Sequence, residues 1–411
     1  MHEAANKMGQ GRRLWIILGT AVLGLTTAAT VLTFFLPLVL DKVTDNKLAI
    51  GFAVGVEGFA ALTIPLIVGQ MSDRTWNRFG RRMPYMLAAT PLVAGGLVAV
   101  ALIHTYWFLV LSVFLFFVGY YTYYTAYQSL YPDTLPANQI GRAWAYQSVF
   151  QGLGVALALV GGGALLVWDQ AAPFVASAVV FVLVAVLSFN LIREDKGRKQ
   201  PPPSRLYRVL PNFWRRLKED RNLRLFLPAH FCWEYTLAAI RAFVLLYLFQ
   251  GLGLSNWQIV PVLGGVIVLY LIASLISGHI ADHFDPRRYT IWILVLYTAG
   301  QLLTGLATDT RILSLVFPFG MFAGAAIMML SYPILLRLTP SERHGEYTGY
   351  YQFNRGLALI AGTSLTGFLI DRFGHYFAGS DGYQVLWLAT GAVTMVSIPF
   401  FLALSRKQAP A

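Results

Sequence analysis

A short hydrophilic passage between two long apolar runs occurs twice in this chain, and its repetition limits the folds open to it. The first copy runs Gly69-Gln70-Met71-Ser72-Asp73-Arg74 and continues to Arg78-Phe79-Gly80-Arg81-Arg82. The second, about half a chain later, runs Gly278-His279-Ile280-Ala281-Asp282 and continues to Arg287-Arg288. A further set of markers repeats as well: Pro136, Gly141, Tyr146 and Gly152 correspond to Pro340, Gly345, Tyr350 and Gly356 at a constant separation. Each marker ends or begins an apolar stretch of membrane-crossing length, so the chain reads as two parallel copies of one helical unit.

The apolar stretches are continuous enough to fix the solvent. The chain is 57% hydrophobic and 12% charged, about half the charged fraction of a water-soluble domain. Twelve stretches near the length of a bilayer span fall at 14–40, 48–71, 84–103, 106–131, 141–167, 171–192, 223–250, 257–281, 289–307, 312–336, 345–370 and 382–405. They are apolar all round, where a large soluble helical protein would show a polar face every 3.6 residues. The expected fold is an all-α membrane protein of twelve transmembrane helices in two six-helix halves, 1–192 and 223–411, joined by a cytoplasmic linker at 193–222. Lys7, Arg12 and Arg13 precede an apolar run too long for a signal-peptide core, so 14–40 is expected to be a retained first helix. The single cysteine, Cys232, excludes an intramolecular disulfide.

A net charge of +12 would suit nucleic acid, but its distribution does not. With both termini in the cytoplasm, all but six of the 31 Lys and Arg fall on the inner side; Lys42, Lys47, Arg311 and Arg372 are outside, and Arg241 and Arg355 lie within helices. This is the positive-inside asymmetry, so the charge sets orientation, and no nucleic-acid partner is expected. The basic linker carries Pro201-Pro202-Pro203, and its Phe213-Trp214 beside Arg215, Arg216 and Lys218 suits a short helix on the inner leaflet. The other loops are too short for a soluble catalytic domain. With no glycine-rich phosphate loop, zinc-ligand cluster or nucleophile elbow in the sequence, the expectation is neither an enzyme nor an ATP-driven pump, and no metal or cofactor.

The repeated Gly-x-x-x-Asp passage after the second of twelve spans resembles the major facilitator superfamily over essentially the whole chain. Its wording, Ser72-Asp73-Arg74-Thr75-Trp76-Asn77-Arg78-Phe79-Gly80-Arg81-Arg82-Met83-Pro84, resembles more narrowly the plant-type sucrose transporters and the glycoside–pentoside–hexuronide symporters, with weaker support from Tyr131-Pro132-Asp133 through Gly141-Arg142. The resemblance implies that Asp73 and Asp282 meet the starts of the eleventh and fifth helices and close the cytoplasmic side. The physics agrees: a carboxylate is stabilised at a helix N-terminus, and Gly69 and Gly278 allow close backbone approach. Arg74, Arg78, Arg81 and Arg287 would tie the loops into a charge network or meet lipid phosphates; plain topological anchoring is the other reading. The sodium-coupled melibiose-type members carry two acidic residues in the second helix where this chain has Ala61 and Pro65, so no sodium site is expected. The plant sucrose transporters' acidic residue in the fourth helix has no counterpart between Tyr120 and Gln128.

Four strongly ionisable residues remain at membrane depth: Glu57, Glu234, Arg241 and Arg355. A charge at mid-helix costs about 2.5–3.5 kcal/mol on insertion scales, so each must be paired or line a wet cavity. Glu234 and Arg241 are two turns apart on one face, with His230 one turn before Glu234. Glu234 is the candidate proton-coupling group, with Arg241 as its neighbour and Glu57 as the second choice; a permanent structural pair with Arg241 or Arg355 is the competing reading. His230 reads as a satisfied helix histidine. Arg355, accompanied by Asn354, has Gln151 as its repeat equivalent, and this Gln and Arg would hydrogen-bond a polyol or bridge helices. Tyr120, Tyr124, Tyr127 and Tyr131 form one stripe near Gln128, which offers flat faces for sugar C–H groups and hydroxyls for sugar oxygens, or serves packing. The candidate substrate-binding set is Tyr120, Tyr124, Tyr127, Gln128, Gln151, Trp233, Asn354 and Arg355.

The expected function is secondary active transport in the inner or plasma membrane: proton-coupled symport of a sugar or glycoside by alternating access, as a monomer, with the cavity between the halves. A proton-driven exporter of an amphipathic molecule and a non-transporting interaction protein on the same fold are the alternatives.

Overall fold

Lipid offers the backbone no hydrogen-bond partner, so a spanning segment must satisfy its own N–H and C=O groups, and a helix does this within one segment. In the computed structural model the apolar stretches are helices. The structure describes residues 2–75, 80–134, 137–192, 215, 217–283, 286–307, 310–339, 344–377 and 380–404. In chain order the helices are α1 (His2–Asp41), α2 (Lys47–Arg74), α3 (Met83–Leu102), α4 (Tyr106–Thr134), α5 (Ala137–Ala156, continuing through Leu157–Gly161 and Gly162–Leu166), α6 (Ala172–Leu191), α7 (Arg221–Leu246, continuing through Tyr247–Gly251), α8 (Asn256–His283), α9 (Pro286–Leu306), α10 (Thr310–Leu338), α11 (His344–Phe373) and α12 (Gln384–Leu402). Among the described residues all twelve are long and apolar enough to cross a membrane, and the all-α expectation holds. Leu183, Leu275 and Trp292 are exposed, which suits lipid rather than water. Trp107, Trp168 and Trp257 sit exposed at helix ends, the place of an interfacial aromatic belt.

The chain divides into two compact units: Met1–Val39 with Thr63–Ser204, and Leu40–Leu62 with Arg205–Ala411. In the first, α3 packs along α4 and α6. Gly119 allows that approach, since a methyl group there would sit 2.7 Å from Leu92 Cβ. Tyr127 donates to the Leu18 carbonyl at 2.8 Å, tying α4 to α1, and Thr27 bonds the Gly154 carbonyl, tying α1 to α5. After α2 the backbone turns at Gly80 with φ +104°, a conformation that favours glycine. Arg82 fastens this turn by donating from Nη1 to Ser72 Oγ at 2.5 Å.

The second unit is built around α7. The central window of α7 is 83% buried, against 22% for α8, because α11, α12 and α10 all pack on it. Asp220 caps α7: its Oδ1 accepts from the backbone N–H of Asn222 and Leu223 at 2.9 and 3.1 Å. Its Oδ2 accepts from the Tyr347 hydroxyl at 2.6 Å, which pins the start of α11 beside the start of α7. Two contacts repeat this register further along. Asn354 donates to the Leu227 carbonyl at 3.0 Å, and Thr366 donates to the Tyr235 hydroxyl at 3.0 Å. On the other side, Trp233 donates from Nε1 to Ser397 of α12 at 2.9 Å.

Residues 40–62 belong topologically to the first repeat but pack with the second unit, for a steric reason. Gly51, Gly55 and Gly58 of α2 face Gly356, Thr363 and Gly367 of α11 so closely that a methyl group on Gly58 would sit 2.5 Å from the Gly356 carbonyl oxygen. One on Gly51 would overlap the Thr363 carbonyl. Small residues let the backbones touch, and dispersion contacts hold helices together where lipid supplies no hydrophobic drive. Gly51→Val should therefore lower stability by about 1–3 kcal/mol, read as an earlier thermal unfolding midpoint in detergent; an unchanged midpoint would contradict the close packing.

Candidate functional site

The buried charge of the second unit is concentrated where α7 meets α11. Helical spacing puts His230 and Glu234 one turn apart on the same face. Glu234 Oε1 lies 3.4 Å from His230 Nε2, and Glu234 Oε2 lies 3.4 Å from Arg355 Nε on α11. The three side chains differ in access. His230 is fully buried and Glu234 nearly so, while the Arg355 side chain is 31% exposed. One carboxylate thus faces two donors, one sealed and one reachable. An ion pair this enclosed gives little net stability, but removing one partner leaves the other charge stranded.

The surroundings hold the imidazole rigidly. Tyr351 of α11 stacks on His230 at 3.9 Å between ring centroids, and Phe226 stacks on it at 5.7 Å. The Tyr351 hydroxyl bonds Ser331 of α10 at 2.7 Å. Asn354 Nδ2 lies 2.9 Å from His230 Nδ1. Arg241, on α7 beyond Glu234, keeps a buried Nε with no hydrogen-bond partner. The sequence reading named Glu234, Arg241, Asn354 and Arg355; the structure gathers Glu234, Asn354 and Arg355 into one cluster and adds His230 and Tyr351. The signal for His230 was its spacing from Glu234. Tyr351 had no signal, because its partners lie on other helices.

The remaining candidates sit elsewhere. Tyr120 and Tyr124 are half-buried and stacked at 5.7 Å on α4, next to half-buried Gln128. Tyr127 is fully buried and spends its hydroxyl on Leu18 and Tyr131. Gln151 is exposed on α5. Trp233 is enclosed against α12. Glu57 is buried on α2 beside Gly58. Of the residues expected to gate, Gly69 is half-buried, Arg81 is buried, and Arg287 donates to the Leu402 carbonyl at 2.8 Å. The side chains of Asp73, Arg74, Arg78 and Asp282, and Gly278, lie outside the described residues.

A second polar cluster joins the Lys47 end of α2 to the far end of α11, and it escaped the sequence reading. Both oxygens of Asp371 accept backbone N–H groups at the start of α2, from Lys47 at 2.9 Å and Leu48 at 2.8 Å. Lys47 Nζ pairs with Asp41 at 2.7 Å and lies 5.4 Å from the Tyr383 ring centroid. Gln250 donates to Asp41 and accepts from the Tyr383 hydroxyl at 2.7 Å. Burial pushes the Tyr383 phenol above its ordinary value, and the Asp41 charge adds to this, so Tyr383 remains a donor.

Comparison with known proteins fits this architecture. The family model described as Major Facilitator Superfamily matches residues 14–269 and 262–411. A bacterial homologue of the human lysosomal transporter Spinster, in an inward-facing and occupied conformation, superposes with TM-score 0.80 over 97% of this chain and 99% of that one, at 14% identity. The nucleoside transporter NupG superposes with TM-score 0.77 over 96% and 100%, also at 14% identity. At that identity the likeness concerns the fold. Two curated proteins align over shorter stretches. The Arabidopsis thaliana protein "D-xylose-proton symporter-like 3, chloroplastic" is 29% identical over 160 residues, 38% of this chain and 28% of that protein. "Multidrug resistance protein 3" of Bacillus subtilis (strain 168) is 24% identical over 110 residues, 26% and 22%. The aligned stretches thus span about a quarter of these relatives' lengths.

The pair geometry predicts non-additive mutations. Glu234→Ala should cost about 3 kcal/mol, because Arg355 and His230 lose their acceptor. Adding Arg355→Ala should restore at least half of that loss. Unfolding in detergent measures both, and strictly additive losses would mean the two side chains do not interact.

Proposed function

The chain belongs to the major facilitator superfamily and is a secondary transporter rather than an enzyme, and from that premise we propose that it carries out proton-coupled symport of a sugar or glycoside, with Glu234 as the group that takes up and releases the proton. The observation that carries this reading is the position of Glu234: a lone carboxylate on the most enclosed helix, shared by a sealed histidine and a reachable arginine. Ionised, it is matched by Arg355. Protonated, it frees the guanidinium. A substrate hydroxyl or oxyanion that engages Arg355 lowers the cost of protonating Glu234, which links substrate and proton in one step.

The substrate class rests on separate support. The string from Gly69 to Pro84 resembles sugar symporters, and the 29% identical stretch belongs to a protein named as D-xylose-proton symporter-like. On this reading Tyr120 and Tyr124 give the first unit an aromatic face near Gln128, and Gln151 is available on α5; in the second unit Arg355 is the polar contact, and Asn354, whose Nδ2 is engaged by Leu227 and His230, supports it. Trp233 and Tyr127 contribute by holding helices, since their polar atoms are already engaged.

With both termini in the cytoplasm, the Asp371 cap and the glycine seam of α2 on α11 lie toward the outside. Residues 40–62 pack with the second unit and the rest of α2 with the first. The two N–H bonds to Asp371 hold the outer end of α2 on α11 within the second unit, and Asp73 would serve the inner end by capping a helix start. The Bacillus relative's name favours a second reading, export of an amphipathic compound.

Reconstituted protein should accumulate a radiolabelled glycoside when the outside is made acidic, in sodium-free buffer at clamped membrane potential. Uptake that requires sodium would refute the coupling. Movement of a lipophilic cation against the gradient, with no sugar transported, would favour the export reading.

A further inference from the structure

The buried histidine beside Glu234 raises the question of which of the two carries the exchanged proton, and its hydrogen bonds answer it. Asn354 Nδ2 has two neighbours, the Leu227 carbonyl oxygen at 3.0 Å and His230 Nδ1 at 2.9 Å. A carbonyl oxygen only accepts, so the amide must present its NH2 group to Leu227, and this fixes the amide orientation. The same NH2 group then points its second hydrogen at His230 Nδ1, which must be the acceptor. The imidazole proton is therefore on Nε2, the nitrogen that faces Glu234 Oε1 at 3.4 Å. The opposite tautomer would put an N–H against the amide N–H2 and a bare lone pair against the carboxylate. The imidazolium would keep the first of these clashes.

We propose that Asn354 is a positioning residue that locks His230 as the neutral Nε2–H tautomer and so leaves Glu234 as the site of protonation; this deepens, and rests on, the reading of Glu234 as the coupling group. Three observations support the lock. His230 is fully buried, so water does not compete for Nδ1. Tyr351 at 3.9 Å and Phe226 at 5.7 Å cover its faces, which blocks rotation of the ring to exchange its nitrogens. The third is the charge around it. Arg355 of α11 and Arg241 of α7 are cations near the same carboxylate. Among the described residues Glu234 is the acidic group that faces the ring, and it is already matched by Arg355. The other ionisable groups facing the cluster are the phenols of Tyr351 and, from α10, Tyr332; α12 meets α7 here through Ser397, Thr390 and Thr394, which carry no charge.

The lock leaves the exchanged proton to Glu234, the group that Arg355 meets directly. Asn354→Ala releases the tautomer, and Asn354→Asp inverts it, because a carboxylate accepts from Nδ1–H.

Nitrogen NMR of protein labelled with 15N in its imidazoles tests this, with a His230→Gln spectrum to assign the signal. Unaltered protein should show His230 with Nδ1 bare and Nε2 protonated at neutral pH. In Asn354→Ala the Nδ1 and Nε2 signals should move toward the average of the two neutral tautomers. A bare Nε2 or an imidazolium at neutral pH in unaltered protein overturns the proposal, and this spectrum needs no variant to fold. So does an Asn354→Ala spectrum identical to it. Should the tautomer be as stated while uptake ignores the pH gradient, the positioning by Asn354 stands and the coupling role of Glu234 falls.

Discussion

Much of the second unit follows from one constraint: a carboxylate on α7 must be satisfied at membrane depth, where water is scarce. An unpaired charge at the middle of a span costs about 2.5–3.5 kcal/mol on insertion scales. Glu234 avoids this through Arg355 and His230. Arg355 sits on α11, so α11 must run beside α7 in a defined register. Three bonds set that register, from Asp220 to Tyr347, from Leu227 to Asn354 and from Tyr235 to Thr366. The aromatic rings of Phe226 and Tyr351 fill the remaining space around the imidazole. Each of these residues has a position that makes sense only once the carboxylate is in place.

The same helix α11 also carries the packing surface for α2. Its residues Gly356, Thr363 and Gly367 accept the glycines of α2, and its Asp371 caps the start of that helix. One helix therefore touches the buried charge at Arg355 and the α2 start at Asp371. A change in the Glu234–Arg355 pair can be felt four turns away through a rigid element with two bonded ends. On the proposed coupling, this is a route by which protonation at the cluster would bias a conformational equilibrium.

The fold was legible because lipid makes it so. Continuous apolar runs, the repeated Gly-x-x-x-Asp marker and the sidedness of Lys and Arg leave one class of architecture. Details that depend on backbone packing were not legible. The fifth span was expected at 141–167, whereas its helix begins at Ala137 and passes through a wider turn at Leu157–Gly161. Glu234 and Arg355 could be found because charge in an apolar run is conspicuous. His230 was visible at one turn from Glu234 but read as inert, since sequence does not show that its Nδ1 is engaged by Asn354 of α11. Asp371 was invisible for a related reason: its partners Lys47 and Leu48 lie on the second helix, and an aspartate at a helix end is ordinary. Trp233 shows the reverse, a large aromatic that drew attention and is held against Ser397.

The central claim is that Glu234 carries the transported proton while Arg355 responds to its charge. Glu234→Gln keeps the shape and the hydrogen-bonding capacity and removes the ionisation. The direct measurement compares two assays in proteoliposomes of this variant: exchange of labelled for unlabelled substrate, and net accumulation under an imposed pH gradient. The account predicts exchange near the unaltered rate and no accumulation above equilibrium. Accumulation equal to that of the unaltered protein would contradict it.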